Sequence, residues 1–308
     1  MNLRDLKYLI AIAETQHFGK AAERCFVSQP TLSGQIKKLE DELEVTLFER
    51  TNRSVEITPI GEAILQHAHR IMEQADSITQ LARSHSDPLA GSLRLGAILT
   101  ISPYLMPLIL LPLKTQSPQM RLVLSEEMTD TLLTRLQNHE IDAALLATPV
   151  EDHDLQAIPL YDEQFWLAYS VDSDLNAKAS ISRRDLENID LLLLSDGHCL
   201  AEQAMNVCRL RNRDKQGEMA DLRAASLETL LQLVAAGMGS TLVPALALRG
   251  SWSSGSDIVT RKLEMPDAYR RVSIVFRKSF PRRQAIDMLA RLIQAQLPDS
   301  VKKLVIKK

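Results

Sequence analysis

The sequence predicts an α+β chain in two parts: an N-terminal winged helix-turn-helix, then a long linker helix leading into a C-terminal two-lobed α/β domain. Three observations predict it. Three short helical segments and a strand–turn–strand fall within residues 1–58. A nearly glycine-free amphipathic stretch runs from Ile60 to about Ser86. From Leu93 onward, strand-like apolar runs alternate with helical ones, which implies a parallel sheet in an α/β domain. The length agrees, since 308 residues suffice for two domains with separate cores.

Taken in order, Leu6, Leu9, Ile10, Ile12 and Ala13 recur at helical spacing and place a helix over residues 4–14. His17-Phe18-Gly19 interrupts it, and Lys20–Cys25 forms a second short helix with Ala21, Ala22 and Cys25 inward. Ser28 is a good N-cap, and Pro30 falls in the first turn, where its missing N–H costs nothing. Thr31–Leu43 is the third helix, with Leu32, Ile36, Leu39 and Leu43 on one face. Leu47-Phe48 closes a small core, and Arg50–Thr58 reads as strand, turn, strand. Two helices, a tight turn, a third helix and a hairpin make a winged helix-turn-helix.

Pro59 and Gly61 mark a boundary. The linker carries Ile64, Leu65, Ala68, Ile71, Met72, Ala75, Ile78 and Leu81, a seam close to a heptad that suits packing along a second copy. Asp87–Gly91 is a hinge. Beyond it, Leu93–Ile98, Met120–Glu126 and Ala143–Ala147 read as strands, and Pro103–Gln116 and Thr129–Asn138 as helices. The pattern recurs in Phe165–Ser170, Ile189–Ser195, Ala201–Leu210, Leu227–Ala236, Gly239–Pro244 and Val272–Arg277. The expected divisions are 1–58, 59–87 and 88–308. The last splits into lobe I (about 88–161 and 269–308) and lobe II (about 162–268), sharing a cleft. The basic tail Val301–Lys308 reads as frayed.

Hydrophobic content of 45% and charged content of 24% are ordinary for a soluble domain. The apolar run Tyr8–Ala13 is too short for a signal peptide, and no run reaches the roughly 18 residues of a membrane span. Only three cysteines (Cys25, Cys199 and Cys208) speak against a disulfide scaffold and for a reducing, cytoplasmic setting. Their spacing fits no zinc or iron–sulfur site, and no cofactor motif is present. Cys25, between Ala22 and Phe26, reads as a plain core residue.

Gly197-His198-Cys199-Leu200 with Cys208 carries the most chemistry. If the segment is one helix, nine steps at about 1.5 Å each separate the two Cα atoms by about 13 Å. A disulfide needs about 5.5–6 Å. A Cys199–Cys208 bridge therefore requires the segment to unwind, and a bond that requires refolding is a switch.

The first domain resembles the LysR-type transcriptional regulators. The residues that carry this are Phe18–Ala22, Val27–Ser33, Ile36–Glu40, Leu47–Arg50 and Ile57–Gly61. Within that family, Gly197–Leu200 with Gln203 and Cys208, plus Ser226–Leu230, looks like the OxyR-type hydrogen peroxide sensors. The contexts of Thr100, Pro103–Leu105 and Thr129 fit the same subgroup. The resemblance implies a periplasmic-binding-protein-like regulatory domain. It also implies double-stranded promoter DNA and RNA polymerase as partners, a dimer of dimers, hydrogen peroxide as signal, and a cellular dithiol as reductant. It implies Cys199 as the peroxidatic thiol and Cys208 as the resolving one. Thr100, Thr129, His198 and an arginine, Arg270 or Arg271, would surround the peroxide. Ordinary strand-end hydroxyls remain a rival reading for Thr100 and Thr129, as does a backbone-bonded histidine for His198.

His198 and a helix N-terminus after Gly197 are expected to lower the Cys199 pKa, since the thiolate is the nucleophile. Ser28, Gln29, Pro30, Thr31, Ser33, Gln35 and Lys37 lie toward the N-terminal half and exposed face of the third helix, the half that enters the major groove. Lys37, Lys38, Arg50 and Arg53 would hold phosphates. Residues 28–38 carry two lysines and no acid, whereas Glu40, Asp41, Glu42 and Glu44 follow. Leu99, Ser102, Ala225 and Glu202 depart from the subgroup pattern. Two other functions compete: a LysR-type regulator binding a metabolite in the cleft, and a thiol peroxidase. No peroxidase motif supports the second.

Overall fold

A computed structural model describes residues 1–50, 55–84, 89–209, 223–249 and 257–305. The chain forms two compact units, Met1–Asp87 and Pro88–Lys308.

In the first unit, α1 (Leu3–Thr15), α2 (Phe18–Arg24) and α3 (Gln29–Leu43) enclose Leu9, Ile12, Ala21, Leu32 and Ile36, all fully buried. Helix α2 starts earlier than its apolar spacing predicts, because the His17 Nδ1 accepts the Gly19 and Lys20 amide hydrogens at 3.0 and 3.3 Å. Cys25 follows it as the C-cap and is half-buried against this core. Strands β1 (Phe48–Arg50) and β2 (Val55–Ile57) pair antiparallel as the wing. The Glu40 carboxylate accepts the Leu47 and Phe48 amides at 2.8 and 3.2 Å, so this acid fixes the approach to the wing.

Helix α4 (Pro59–Ser84) then begins with a built cap. The Thr58 hydroxyl donates to the Thr46 carbonyl at 2.7 Å and accepts from the Gly61 amide at 3.0 Å. A Cβ on Gly61 would stand 2.5 Å from the Leu47 carbonyl oxygen, so this close approach requires glycine.

The second unit runs β3 (Gly91–Ile98), α5 (Ser102–Gln116), β4 (Met120–Glu127), α6 (Thr129–Gln137), β5 (Ala143–Leu146) and β6 (Leu155–Ser170). It continues α7 (Arg183–Leu186), β7 (Leu193–Leu194), α8 (Cys199–Cys208), β8 (Arg223–Ala224), α9 (Leu227–Ala235) and β9 (Thr241–Pro244). It closes with β10 (Ile258–Lys262), β11 (Tyr269–Arg277), α10 (Arg283–Gln296) and β12 (Lys302–Lys303).

The main sheet has the order β10-β6-β11-β5-β3-β4, with β9 and β12 also paired to β6. Within this sheet, among the described residues, only the β3 pairings with β4 and β5 are parallel, so the expected parallel sheet is in fact mixed. The reason is the path of the chain. Strand β6 leaves lobe I for lobe II and β11 returns, so the two run in opposite directions. Sixteen residues long, β6 pairs β11 in its first part and β9 and β10 in its last. It ties two hydrophobic cores together: one holds Leu95, Leu145, Tyr161 and Ile274, the other Phe165, Leu194, Leu231 and Leu242.

Several boundaries depart from expectation. The strand expected over Ile189–Ser195 shrinks to β7. The expected helix over Ala201–Leu210 begins two residues earlier, at Cys199. Helix α10 was not anticipated, although Ala285, Ile286, Leu289 and Ile293 are all fully buried at helical spacing. The tail is not frayed at its start: Val301 is buried in the lobe I core, and Lys302–Lys303 pair with Tyr161 and Asp162. No described helix is long and apolar enough to cross a membrane.

Candidate functional site

Helix α8 places the thiol. Gly197 has φ +92°, in the left-handed region, and turns the chain so that His198 is the N-cap and Cys199 the first helical residue. The segments Ile98–Thr100, Glu127–Thr129 and Gly197–Cys199 meet around a cavity with about 10 Å³ open to the centre of a water molecule, room for about one such molecule. The three segments come from the ends of β3 and β4 and the start of α8. Cys199, Thr100, Thr129 and His198 thus line one cavity.

The arginine beside this cavity is Arg270. It is 3% exposed and sits opposite Glu163 in the β11–β6 register. Its Nε donates to Glu163 Oε2 at 2.8 Å, and its Nη1 and Nη2 donate to the Thr100 hydroxyl and carbonyl, each at 2.9 Å. Arg271 points outward and forms a forked pair with Asp162 at 2.7 and 3.0 Å. Glu163 is fully buried, and its second oxygen accepts the Leu246 amide at 2.7 Å. Sequence reasoning missed Glu163. The signal was present: Tyr161, Glu163 and Phe165 share one strand face, and an acid on the inward phase of a strand demands a buried partner.

The electrostatics of the thiol differ from the sequence expectation. Burial raises the Cys199 pKa above its ordinary value, and the groups favouring the anion offset this only in part. Those groups are the Arg270 charge, the Thr129 hydroxyl and the backbone amides of Cys199 and Leu200 at the helix start. The Thr129 hydroxyl is buried, and the group it acts on is the Cys199 sulfur. The Thr100 hydroxyl accepts from Arg270, which leaves its own hydrogen for the cavity. His198 is not the expected cation. It is 8% exposed, burial lowers its pKa, and its side chain makes no cap hydrogen bond. The neutral ring is favoured, and Arg270 supplies the positive charge.

At the far end of α8, Cys208 is fully buried in the lobe II core, whereas Cys199 packs against the lobe I core. All three cysteines are free thiols. The helix between them is continuous, so the separation of about 13 Å stands. Burial pushes the Cys208 thiol up to about 12, with Arg183 opposing it. Two bonds hold the lobes together nearby. Gln203 of α8 donates to the Ala147 carbonyl at 2.8 Å, and the Tyr104 hydroxyl of α5 donates to Glu228 of α9 at 2.7 Å. The polar stretch after Arg209 lies outside the described residues.

In the first unit, Ser28, Gln29, Pro30, Thr31 and Lys37 are exposed, and Ser33 and Gln35 half-buried, while Leu32, Ile36 and Leu39 face the core. Ser28 also caps α3, accepting the Thr31 amide at 3.3 Å. Arg50 ends β1, and Arg53 lies outside the described residues. Phe26, just before α3, is 94% exposed, an aromatic at the same end of the helix that sequence reasoning treated as a lead-in.

Comparison with known proteins decides the family. Residues 3–62 match the bacterial regulatory helix-turn-helix proteins of the lysR family, and residues 86–298 match the LysR substrate binding domain. The chain belongs to the LysR family. Within it, the chain is 39% identical over 297 residues to the DNA-binding transcriptional dual regulator OxyR of Escherichia coli K12, covering 96% of each protein. It is also 39% identical over 288 residues to a probable hydrogen peroxide-inducible genes activator of Mycobacterium avium, covering 94% of this chain and 92% of that one. A full-length cysteine-to-aspartate variant of OxyR from Pseudomonas aeruginosa has a similar structure, with a TM-score of 0.82 at 39% identity over 100% of this chain and 99% of that one. A Corynebacterium glutamicum OxyR cysteine-to-serine variant with H2O2 bound gives a TM-score of 0.65 at 35% identity, over 96% and 92% of the two chains. The resemblance read from Val27–Ser33 and Gly197–Leu200 thus extends along nearly the whole LysR-type chain.

Proposed function

We propose that this chain is a DNA-binding transcription regulator that senses hydrogen peroxide at Cys199 and transmits the signal through a reversible Cys199–Cys208 disulfide. The observation that carries the reading is a thiol at the first turn of α8, lining a one-molecule cavity beside a buried arginine. It stands in a chain whose relatives are named for hydrogen peroxide-inducible genes. The cavity favours a molecule close to water in size over a larger metabolite.

In the proposed chemistry, peroxide occupies the cavity within reach of the Thr100 and Thr129 hydroxyls. The Cys199 thiol gives up its proton, and the thiolate attacks one peroxide oxygen. The O–O bond breaks, one oxygen stays on sulfur as sulfenic acid, and the other leaves as hydroxide and is protonated to water. Arg270, Thr129 and the amides at the start of α8 stabilise the negative charge as it develops on sulfur. Cys208 cannot resolve the sulfenic acid while buried and protonated. Unwinding of α8 exposes it, lowers its pKa and lets its thiolate displace hydroxide from the Cys199 sulfur. The new bond forbids the helix, breaks the Gln203–Ala147 contact and repacks the lobes. A cellular dithiol resets the switch.

On DNA, Gln29, Pro30, Thr31, Ser33 and Gln35 face base edges, with Ser28 at the helix cap. Lys37, Arg50 and Arg53 hold phosphates of a double-stranded promoter. Two surfaces suit self-association into a dimer of dimers. Ile60, Ile71 and Ile78 are exposed on α4, and Leu110, Leu111, Val123 and Leu124 are exposed on α5 and the sheet-edge strand β4. RNA polymerase is the expected partner of such a regulator, and the cytoplasm its compartment. The role is that of a regulator, not an enzyme.

Mass analysis with peptide mapping after one equivalent of hydrogen peroxide tests this, with wild type beside Cys208→Ser. The expected result is a two-hydrogen loss mapped to Cys199–Cys208, replaced in the variant by sulfenic acid at Cys199. An unoxidised Cys199 overturns the reading.

A further inference from the structure

We infer that Met128 sets the size limit on the oxidant that reaches Cys199. The inference rests on the peroxide reading above and adds a specificity-determining residue to it.

The cavity has a floor and a rim. Thr100 and His198 are buried, whereas the exposed residues in its lining are Met128 and Gly197. Solvent therefore meets the cavity where these two lie. They lie against each other: a Cβ built on Gly197 would stand 2.6 Å from the Met128 sulfur and 3.6 Å from its terminal methyl. The methionine side chain is folded flat over the glycine, in space that any other residue at 197 would fill. Gly197 thus has two constraints, its left-handed φ of +92° and the thioether resting on it.

Met128 precedes the first residue of α6, and its partner Gly197 precedes the N-cap of α8. The roof joins the two loops that also deliver Thr129 and Cys199. An unbranched thioether with three rotatable bonds can swing aside for a molecule close to water in size. The space beneath, about 10 Å³ at the water centre, suits a molecule close to water in size, so hydrogen peroxide needs a small swing of the roof and a peroxide bearing an alkyl group a much larger one. Shortening the roof to alanine removes the excluding atoms without touching the thiol, Arg270 or Thr129. Discrimination by bulk in a pocket this small is worth about 10–200-fold per methylene-sized misfit.

The test is the rate of Cys199 oxidation in the full-length chain by hydrogen peroxide and by tert-butyl hydroperoxide, each divided by the rate with free cysteine. The variants are Met128→Ala and Met128→Leu, both checked for an unchanged melting temperature. The wild type is expected to prefer hydrogen peroxide beyond the preference of free cysteine. Met128→Ala is expected to cut that preference at least tenfold, and Met128→Leu, which keeps the bulk, to retain it. A wild type no more selective than free cysteine overturns the inference, as does Met128→Ala with undiminished preference. Cys199 inert to both peroxides in the wild type overturns the peroxide reading itself, a different result from reactivity without selectivity.

Discussion

Arg270 and Arg271 are neighbours with opposite fates. Val272, Ile274 and Phe276 lie on the buried phase of β11 with Arg270, which ends against the cavity. Arg271 faces solvent and Asp162. The period-two rule contained this choice, since Arg270 is in phase with those three apolar residues. It could not say that Glu163 waits opposite. A fully buried ion pair is retained here at the cost of desolvating both partners, so breaking it from one side leaves an unpaired buried charge. Arg270→Met should lower stability by about 3–5 kcal/mol in chemical denaturation. Adding Glu163→Gln should recover much of that loss. The Cys199 pKa, read from the pH profile of thiol alkylation, should stay above the wild-type value in both variants. Recovery of the thiol profile along with stability would show that Arg270 acts on packing and not on the sulfur.

At the scale of the element, α8 is a device because its two ends belong to different cores. Its N-terminal thiol touches lobe I, its C-terminal thiol is inside lobe II, and Gln203 bridges between. The helix was legible from Leu200, Ala201, Ala204 and Val207, all buried on one face. A buried Cys208 beside Met205 and Val207 was legible as well, whereas the distant segments that share its core were not, because they come from far along the chain. The burial of Cys208 has a pH consequence. The ordinary thiol value is 9.0 and the folded value about 12, so above pH 9 the unfolded chain releases this proton first. Stability from the protonated thiol is therefore complete below about pH 9 and lost progressively as pH rises toward 12. Denaturation of wild type and Cys208→Ala at rising pH should show their stability difference shrinking over that window. A constant difference would mean that the thiol is already ionised or solvated in the folded chain.

For the whole molecule, function requires that a change at the thiol be felt by a DNA-binding unit, and one chain reads only one half-site. Helix α4 carries Ile71 and Ile78 at 40% and 71% exposure, seven residues apart, which is the repeat of a helix that packs along a partner. Ile71→Glu with Ile78→Glu should shift the protein toward monomer in sedimentation. Affinity for a two-half-site operator should fall at least tenfold, with the peroxide chemistry of Cys199 intact. Unchanged sedimentation and DNA affinity would move the self-association surface away from α4.

The sequence by itself determined what rests on near neighbours. The N-cap at Ser28, the apolar face of α3, the Thr58-Pro59-x-Gly61 start of α4 and the helical spacing of Cys199 and Cys208 all act within a few turns of one segment. Tertiary structure alone decided what depends on chain returning from far away. Arg270 meets Glu163 across 107 residues and Thr100 across 170. The mixed sheet follows from β11 re-entering lobe I beside β6. Burial, not His198, governs the thiol, because desolvation is set by every segment packed around a group and not by the residue next to it.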